Sequence, residues 1–192
     1  MPTSRLFIAL YPDSVSMEKL SQLNTSIIPF TALKIIPQDQ RHLTLCFLGE
    51  IEVGYISAIK NVLMKLALNG TDYSLEFKDL EYGANPTHPN LIWLKGQSQP
   101  WILTLWQELK KELVAVIPLT VLDEQGQKSL LNQHFLSHLT LARFKVSLSQ
   151  TLPSLPSITP LIIHFKSIAL IESSLTPAGP IYNVLENIPF KS

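Results

Sequence analysis

Apolar residues in this chain fall into short runs broken by proline, glycine and asparagine, and the spacing changes between period two and period three to four. Residues 5–10 form an apolar run stopped by Pro12-Asp13, which predicts a buried strand. Ser14 or Ser16 then offers a cap for a helix carrying Met17, Leu20, Leu23 and Ile27, closed by Pro29. Strands follow at 32–36, up to Pro37, and at 43–48, closing at Gly49. Over 51–68, Ile56, Ile59, Val62, Leu63, Leu66 and Ala67 recur at three and four, the clearest amphipathic helix in the chain, and Asn69-Gly70 ends it. Residues 73–82 alternate as a strand, 83–90 are turn-rich, and 91–94 make another strand. Pro100 fits the first turn of a helix that runs through Leu105, Leu109, Leu113 and Val116 to Pro118. Residues 119–136 predict a strand or loop with a short helix. Further strands are predicted at 139–144, 161–171 and 181–185, with a Ser/Pro/Thr-rich surface connection at 150–160. Strands and helices do not alternate strictly, which favours an α+β fold with helices outside largely antiparallel sheets.

The informative feature is a repeat. His42-Leu43-Thr44-Leu45 recurs letter for letter as His138-Leu139-Thr140-Leu141, 96 residues later, which is half of the 192-residue chain. Along a strand successive side chains point to opposite faces, so each copy buries two leucines and presents an imidazole and a hydroxyl together. Two imidazoles in one cleft suit acid–base catalysis near neutral pH, because unperturbed histidine titrates near 6.5. One removes a proton from water while the other protonates a leaving oxygen, and the hydroxyls of Thr44 and Thr140 can donate to anionic oxygens without a metal. A strained cyclic phosphodiester fits that equipment. The competing reading is two sheet histidines without chemistry; one His-x-Thr arises readily by chance, but two identical copies half a chain apart do not.

Composition narrows the partners. Fifteen basic and fifteen acidic residues cancel, so a long phosphate-tracking surface is not expected, although a small anionic site is allowed. With 46% hydrophobic and 16% charged residues, 1–192 reads as a single domain with a sizeable core. The lone Cys46 excludes an internal disulfide framework and any zinc site built on several cysteines. Neither a targeting segment nor a run of the roughly 20 apolar residues that span a bilayer is evident, so a cytoplasmic monomer is expected.

Only three arginines occur, Arg5, Arg41 and Arg143, against twelve scattered lysines. Arginine offers phosphate a planar fork. Arg143 is five residues after His138, an odd offset, so it reaches the cleft only if the strand ends or bulges. For Arg5 a site role and a plain strand role are balanced, and Arg41 should face away from His42. Cys46 shares the face of His42 and Thr44 if the strand is regular, yet a lone cysteine is usually a small buried hydrophobe. His134 is four residues before His138, a spacing that would suit a metal pair on a helix, but its segment reads as loop into strand; His88 and His164 read as structural or exposed. Phe7, Tyr11, Trp93 and Phe144 could stack a base, with a core position preferred for Trp93.

On its paired His-x-Thr motifs the chain resembles the two-histidine phosphoesterase superfamily, and in particular the RNA 2',3'-cyclic phosphodiesterases, also called 2'-5' RNA ligases. The resemblance extends through Arg5-Leu6-Phe7-Ile8-Ala9, Phe47-Leu48-Gly49-Glu50, Leu91-Ile92-Trp93-Leu94, Ala142-Arg143, Gly179-Pro180 and Tyr182, in family order over nearly the whole chain. Ser137 stands where members often carry proline. The resemblance implies a bilobal α+β fold of two pseudo-symmetric lobes with a central groove. It also implies metal-free, cofactor-free opening of nucleoside or RNA 2',3'-cyclic phosphates to 2'-phosphates, and in some members 2'-5' joining of RNA ends. His138 would be the base and His42 the acid, with Thr44, Thr140 and Arg143 on the phosphate. Alternatives are a phosphodiesterase for another small cyclic or 2'-5'-linked nucleotide, and a non-catalytic RNA-end or nucleotide-binding module.

Overall fold

A computed structural model describes residues 2–23, 33–66, 73–83, 89–132, 134–144, 154–177 and 179–191. The elements run β1 (Thr3–Pro12), α1 (Ser14–Gln22), β2 (Leu33–Ile35), β3 (Leu43–Glu52), α2 (Ile56–Leu66), β4 (Ser74–Gly83) and β5 (Leu91–Gly96). They continue with α3 (Pro100–Val116), α4 (Glu124–Leu131), β6 (His138–Phe144), β7 (Leu161–Thr176) and β8 (Gly179–Pro189). The fold is α+β, and every strand pairing among the described residues is antiparallel.

The strands follow the order β2-β6-β5-β4-β7-β1-β3, with β8 also on β7. β7 is the hinge of this arrangement, because its first residues, Leu161 to His164, pair with β4 while the rest of the strand pairs with β1 and β8. One lobe is therefore β3-β1-β7-β8 and the other β2-β6-β5-β4. Helices cover one face. Ile59, Val62 and Leu63 of α2 and Ile102, Leu105, Leu109 and Leu113 of α3 join Leu6, Ile8, Leu10, Leu43, Leu45, Leu139 and Leu141 in the main core. Among the described residues, the other face of the first lobe carries a small cluster, Phe7, Ala9, Ala169 and Ile171, edged by Tyr11 and Tyr182. No helix among the described residues is long and apolar enough to cross a membrane.

Local chemistry moved several element ends. The cap of α1 is Asp13, whose carboxylate accepts the Ser16 N–H at 2.7 Å, instead of either serine. Ser16 is buried and accepts the His164 N–H, tying the helix to β7. The segment expected to begin a helix at Ile51 continues β3 to Glu52, and Val53–Tyr55 makes a 3-10 turn before α2. Pro100 opens α3 as expected, and the 119–136 region holds a 3-10 turn and α4, capped by Asp123. β7 and β8 are longer than predicted. Ile27, Pro29, Ala67 to Gly70, His88 and residues 150–153 of the Ser/Pro/Thr-rich connection lie outside the described residues.

Gly49 does not close β3. It sits inside the strand at φ +69, where the register against β1 shifts, and the Asp123 carboxylate lies flush against it. That carboxylate accepts N–H groups from Glu50 and Gly126, joining β3 to the start of α4. A Cβ at position 49 would be strained by its backbone and would displace Asp123. Gly49→Ala is therefore expected to destabilise the chain by about 2–4 kcal/mol, read from urea denaturation midpoints. An unchanged midpoint would contradict this.

Candidate active site

Each repeat ends in a β-bulge at the same motif position. Against β1, Ala9 faces Thr44 but Ile8 faces Cys46, so Leu45 is the extra residue. Against β5, Trp93 faces Thr140 but Ile92 faces Ala142, so Leu141 is the extra residue. A bulge shifts the two-residue alternation by one. Leu45 and Cys46 consequently both lie in the main core, as do Leu141 and Ala142. Cys46 is thus turned away from His42 and Thr44, contrary to the regular-strand expectation; its thiol contacts the Ser129 hydroxyl, and burial pushes its pKa up to about 11. The same shift returns Arg143 to the face of His138 and Thr140, which resolves its odd offset. Its counterpart in the first repeat is Phe47, whose ring lies 5.9 Å from Phe7.

The histidines are held alike. His42 Nδ1 lies 2.7 Å from the Gln40 carbonyl and His138 Nδ1 lies 3.1 Å from the Leu136 carbonyl, each two residues upstream. A carbonyl only accepts, so in both rings Nδ1 carries the hydrogen and neutral Nε2 keeps its lone pair. Aromatic rings fix the imidazole planes. Phe7 and Tyr182 stand 4.9 and 5.4 Å from His42 by ring centroid, Tyr11 stands at 6.3 Å, and Trp93 lies 4.4 Å from His138.

These surroundings hold both imidazoles neutral near pH 7. Burial lowers His42 to about 4, the Gln40 carbonyl opposes this, and the positive charges of His138 and Arg143 add to the lowering. His138 is lowered by burial, opposed by its bond to Leu136. The effect of His138 and Arg143 on His42 places all three in one electrostatic neighbourhood. Arg143 Nε and Trp93 Nε1 are buried without a hydrogen-bond partner among the described residues. Two donors in a half-buried wall, beside a cation, suit an anionic ligand.

The other named residues separate cleanly. Arg5 bonds Gln125 at the end of β1 remote from His42. Arg41 is buried, with Nε donating to the Ile36 carbonyl and Nη1 to the Ser21 hydroxyl, and so faces away as expected. His134 and His164 are exposed. Phe144 stacks on Tyr82, on the face of Ala142, outside the groove. Trp93 is a correction: its neighbours Ile92 and Leu94 are fully buried, while its own ring lies beside His138. Tyr182, Phe47 and Lys34, which pairs with Arg143 across β2 and β6, were not singled out as site residues. Tyr182 and Phe47 carried a signal, each an aromatic inside a predicted strand and within the stretches that resemble the family. Ser137, at the place often held by proline, is buried with its hydroxyl 2.8 Å from that of Ser98.

No family model matches the chain. Among curated proteins it is similar to the RNA 2',3'-cyclic phosphodiesterases of Thermotoga maritima, at 27% identity over 81% of this chain and 79% of that one, and of Thermus thermophilus, at 27% over 97% and 90%. Among solved structures, the Thermus thermophilus protein TT0787 superposes with a TM-score of 0.80 at 26% identity, covering 98% of both chains. Escherichia coli LigT complexed with 3'-AMP shares the fold, with a TM-score of 0.68 at 20% identity over the full length of both. The repeated motif and these likenesses agree: over nearly its whole length the chain is similar to the RNA 2',3'-cyclic phosphodiesterases of the two-histidine phosphoesterase family.

Proposed function

We propose that this protein hydrolyses the 2',3'-cyclic phosphate of RNA ends or nucleosides to a 2'-phosphate. The observation that carries the proposal is the matched tethering of His42 and His138 by Nδ1, which leaves both Nε2 atoms free of that bond, with the charges of His138 and Arg143 close enough to act on His42. Water attacks phosphorus and gives its proton to His138 Nε2; the P–O3' bond breaks, and His42 Nε2 gives its proton to the departing 3'-oxygen. Thr44, Thr140 and Arg143 bind the non-bridging oxygens. Both proton transfers are served by the pair, so turnover is expected to persist in EDTA. A 5'-hydroxyl in place of water would give a 2'-5' linkage by the same steps. The names of the curated relatives support the substrate class.

The reaction needs His42 protonated, yet in the unliganded chain its pKa is about 4. A bound phosphate brings negative charge beside His42, opposite in sign to the charges that depress it, and so raises its pKa. Profiles of kcat/KM follow the free enzyme and those of kcat the complex. The kcat optimum is therefore expected at higher pH than that of kcat/KM, both bell-shaped, with apparent values belonging to the pair. The test is turnover of cyclic nucleotides in EDTA across pH 4–9, with the product identified as 2'- or 3'-phosphate. No turnover, or a flat profile, would refute the proposal.

A further inference from the structure

A cavity of about 370 Å3 opens beside the reaction centre and contains neither histidine. Its floor is the groove face of the first lobe: Tyr11 and Ser167, which pair across β1 and β7, with Val184 and Asn187 from β8. Its wall includes Gln38 and Asp39, in the turn whose next residue, Gln40, tethers His42. Tyr11 belongs both to this cavity and to the ring of aromatics around His42, so the two spaces adjoin.

One atom in the cavity points to a ligand. Ser167 is 2% exposed, and its hydroxyl is buried without a hydrogen-bond partner among the described residues. Buried hydroxyls are normally satisfied, so a turn of the Ser167 side chain about χ1 toward a group entering the cavity would give this one the partner it lacks. The lining mixes the flat Tyr11 ring and apolar Met17 and Val184 with the polar ends of Asn187, Gln38 and Asp39, a composition suited to a planar heterocycle with a polar edge. Lys166 lines the cavity as well, and the Asp39 carboxylate offers an acceptor for an exocyclic amine.

We propose that this cavity is a nucleobase subsite, taking an amine-bearing base next to the phosphate held between the histidines. Tyr11 supplies a stacking face, Ser167 and Asn187 bond the base edge, and Asp39 accepts from the amine. The inference rests on the proposed function for the phosphate's position, and it adds a base preference: adenine, guanine or cytosine over uracil.

Calorimetric titration tests it without turnover. The ligands are adenosine 2'-monophosphate, uridine 2'-monophosphate and base-less ribose phosphate, against wild type, Ser167→Val and Asn187→Ala. The wild type is expected to prefer adenosine over uridine. In each variant the ratio of affinities for adenosine 2'-monophosphate and ribose phosphate is expected to fall about tenfold, the worth of one lost hydrogen bond. A dinucleotide ending in a 2'-phosphate identifies the base: a fall with the mononucleotide assigns the terminal base, and a fall with the dinucleotide alone assigns its neighbour. Unchanged ratios for every ligand in both variants would overturn the subsite, even in an active enzyme. An inactive enzyme with the expected ratios would overturn the proposed reaction and leave the subsite standing.

Discussion

Alanine in place of His42 or His138 is expected to lower kcat for 2',3'-cyclic nucleotides by about 10²–10⁴-fold each, the usual contribution of a positioned acid or base. The two proton transfers belong to one step, so the double variant is expected to be little worse than the poorer single one. Stability should change far less than rate, because both side chains are half-buried and each makes one tether, to a backbone carbonyl. His164→Ala serves as the control, since that side chain is exposed on β7. Steady-state kinetics with a thermal melt on each variant separates chemistry from folding. Rates within threefold of wild type for both single variants would end the two-histidine mechanism.

The second large effect is expected at Arg143. Removing a charge-assisted bond to phosphate costs about 1.5–3 kcal/mol, so Arg143→Ala should lower kcat/KM by about 10–150-fold. Arg143→Lys should not restore it, because a point charge does not reproduce the planar fork. A second readout distinguishes this role from packing. Arg143 is one of the charges that disfavour the His42 imidazolium, so its removal should raise the His42 pKa. Nuclear magnetic resonance titration of the His42 ring in wild type and Arg143→Ala measures that shift. A downward shift, or none, would place Arg143 away from His42.

These expectations rest on features of unequal legibility. The repeat His42-Leu43-Thr44-Leu45 and His138-Leu139-Thr140-Leu141, the α+β class and most strands and helices are written in local pattern, because alternation, capping and helical period depend on neighbours in sequence. So is the face shared by each histidine and threonine. Where regular alternation failed as a guide to facing, the cause lay across the sheet. Cys46 turned into the core and Arg143 turned out of it for the same reason: Leu45 and Leu141 are extra residues relative to β1 and β5. No local pattern in β3 or β6 records how many residues the opposite strand offers. Trp93 likewise looked like core because its neighbours are, and only the pairing of β5 with β6 sets its ring beside His138. Tyr182 reaches His42 through β8, 140 residues later in the chain. The sequence by itself determined which side chains could do acid–base chemistry, since residue type and alternation are local properties. The tertiary structure alone decided which other side chains join them, because a bulge is a mismatch between two strands and exists only once they pair.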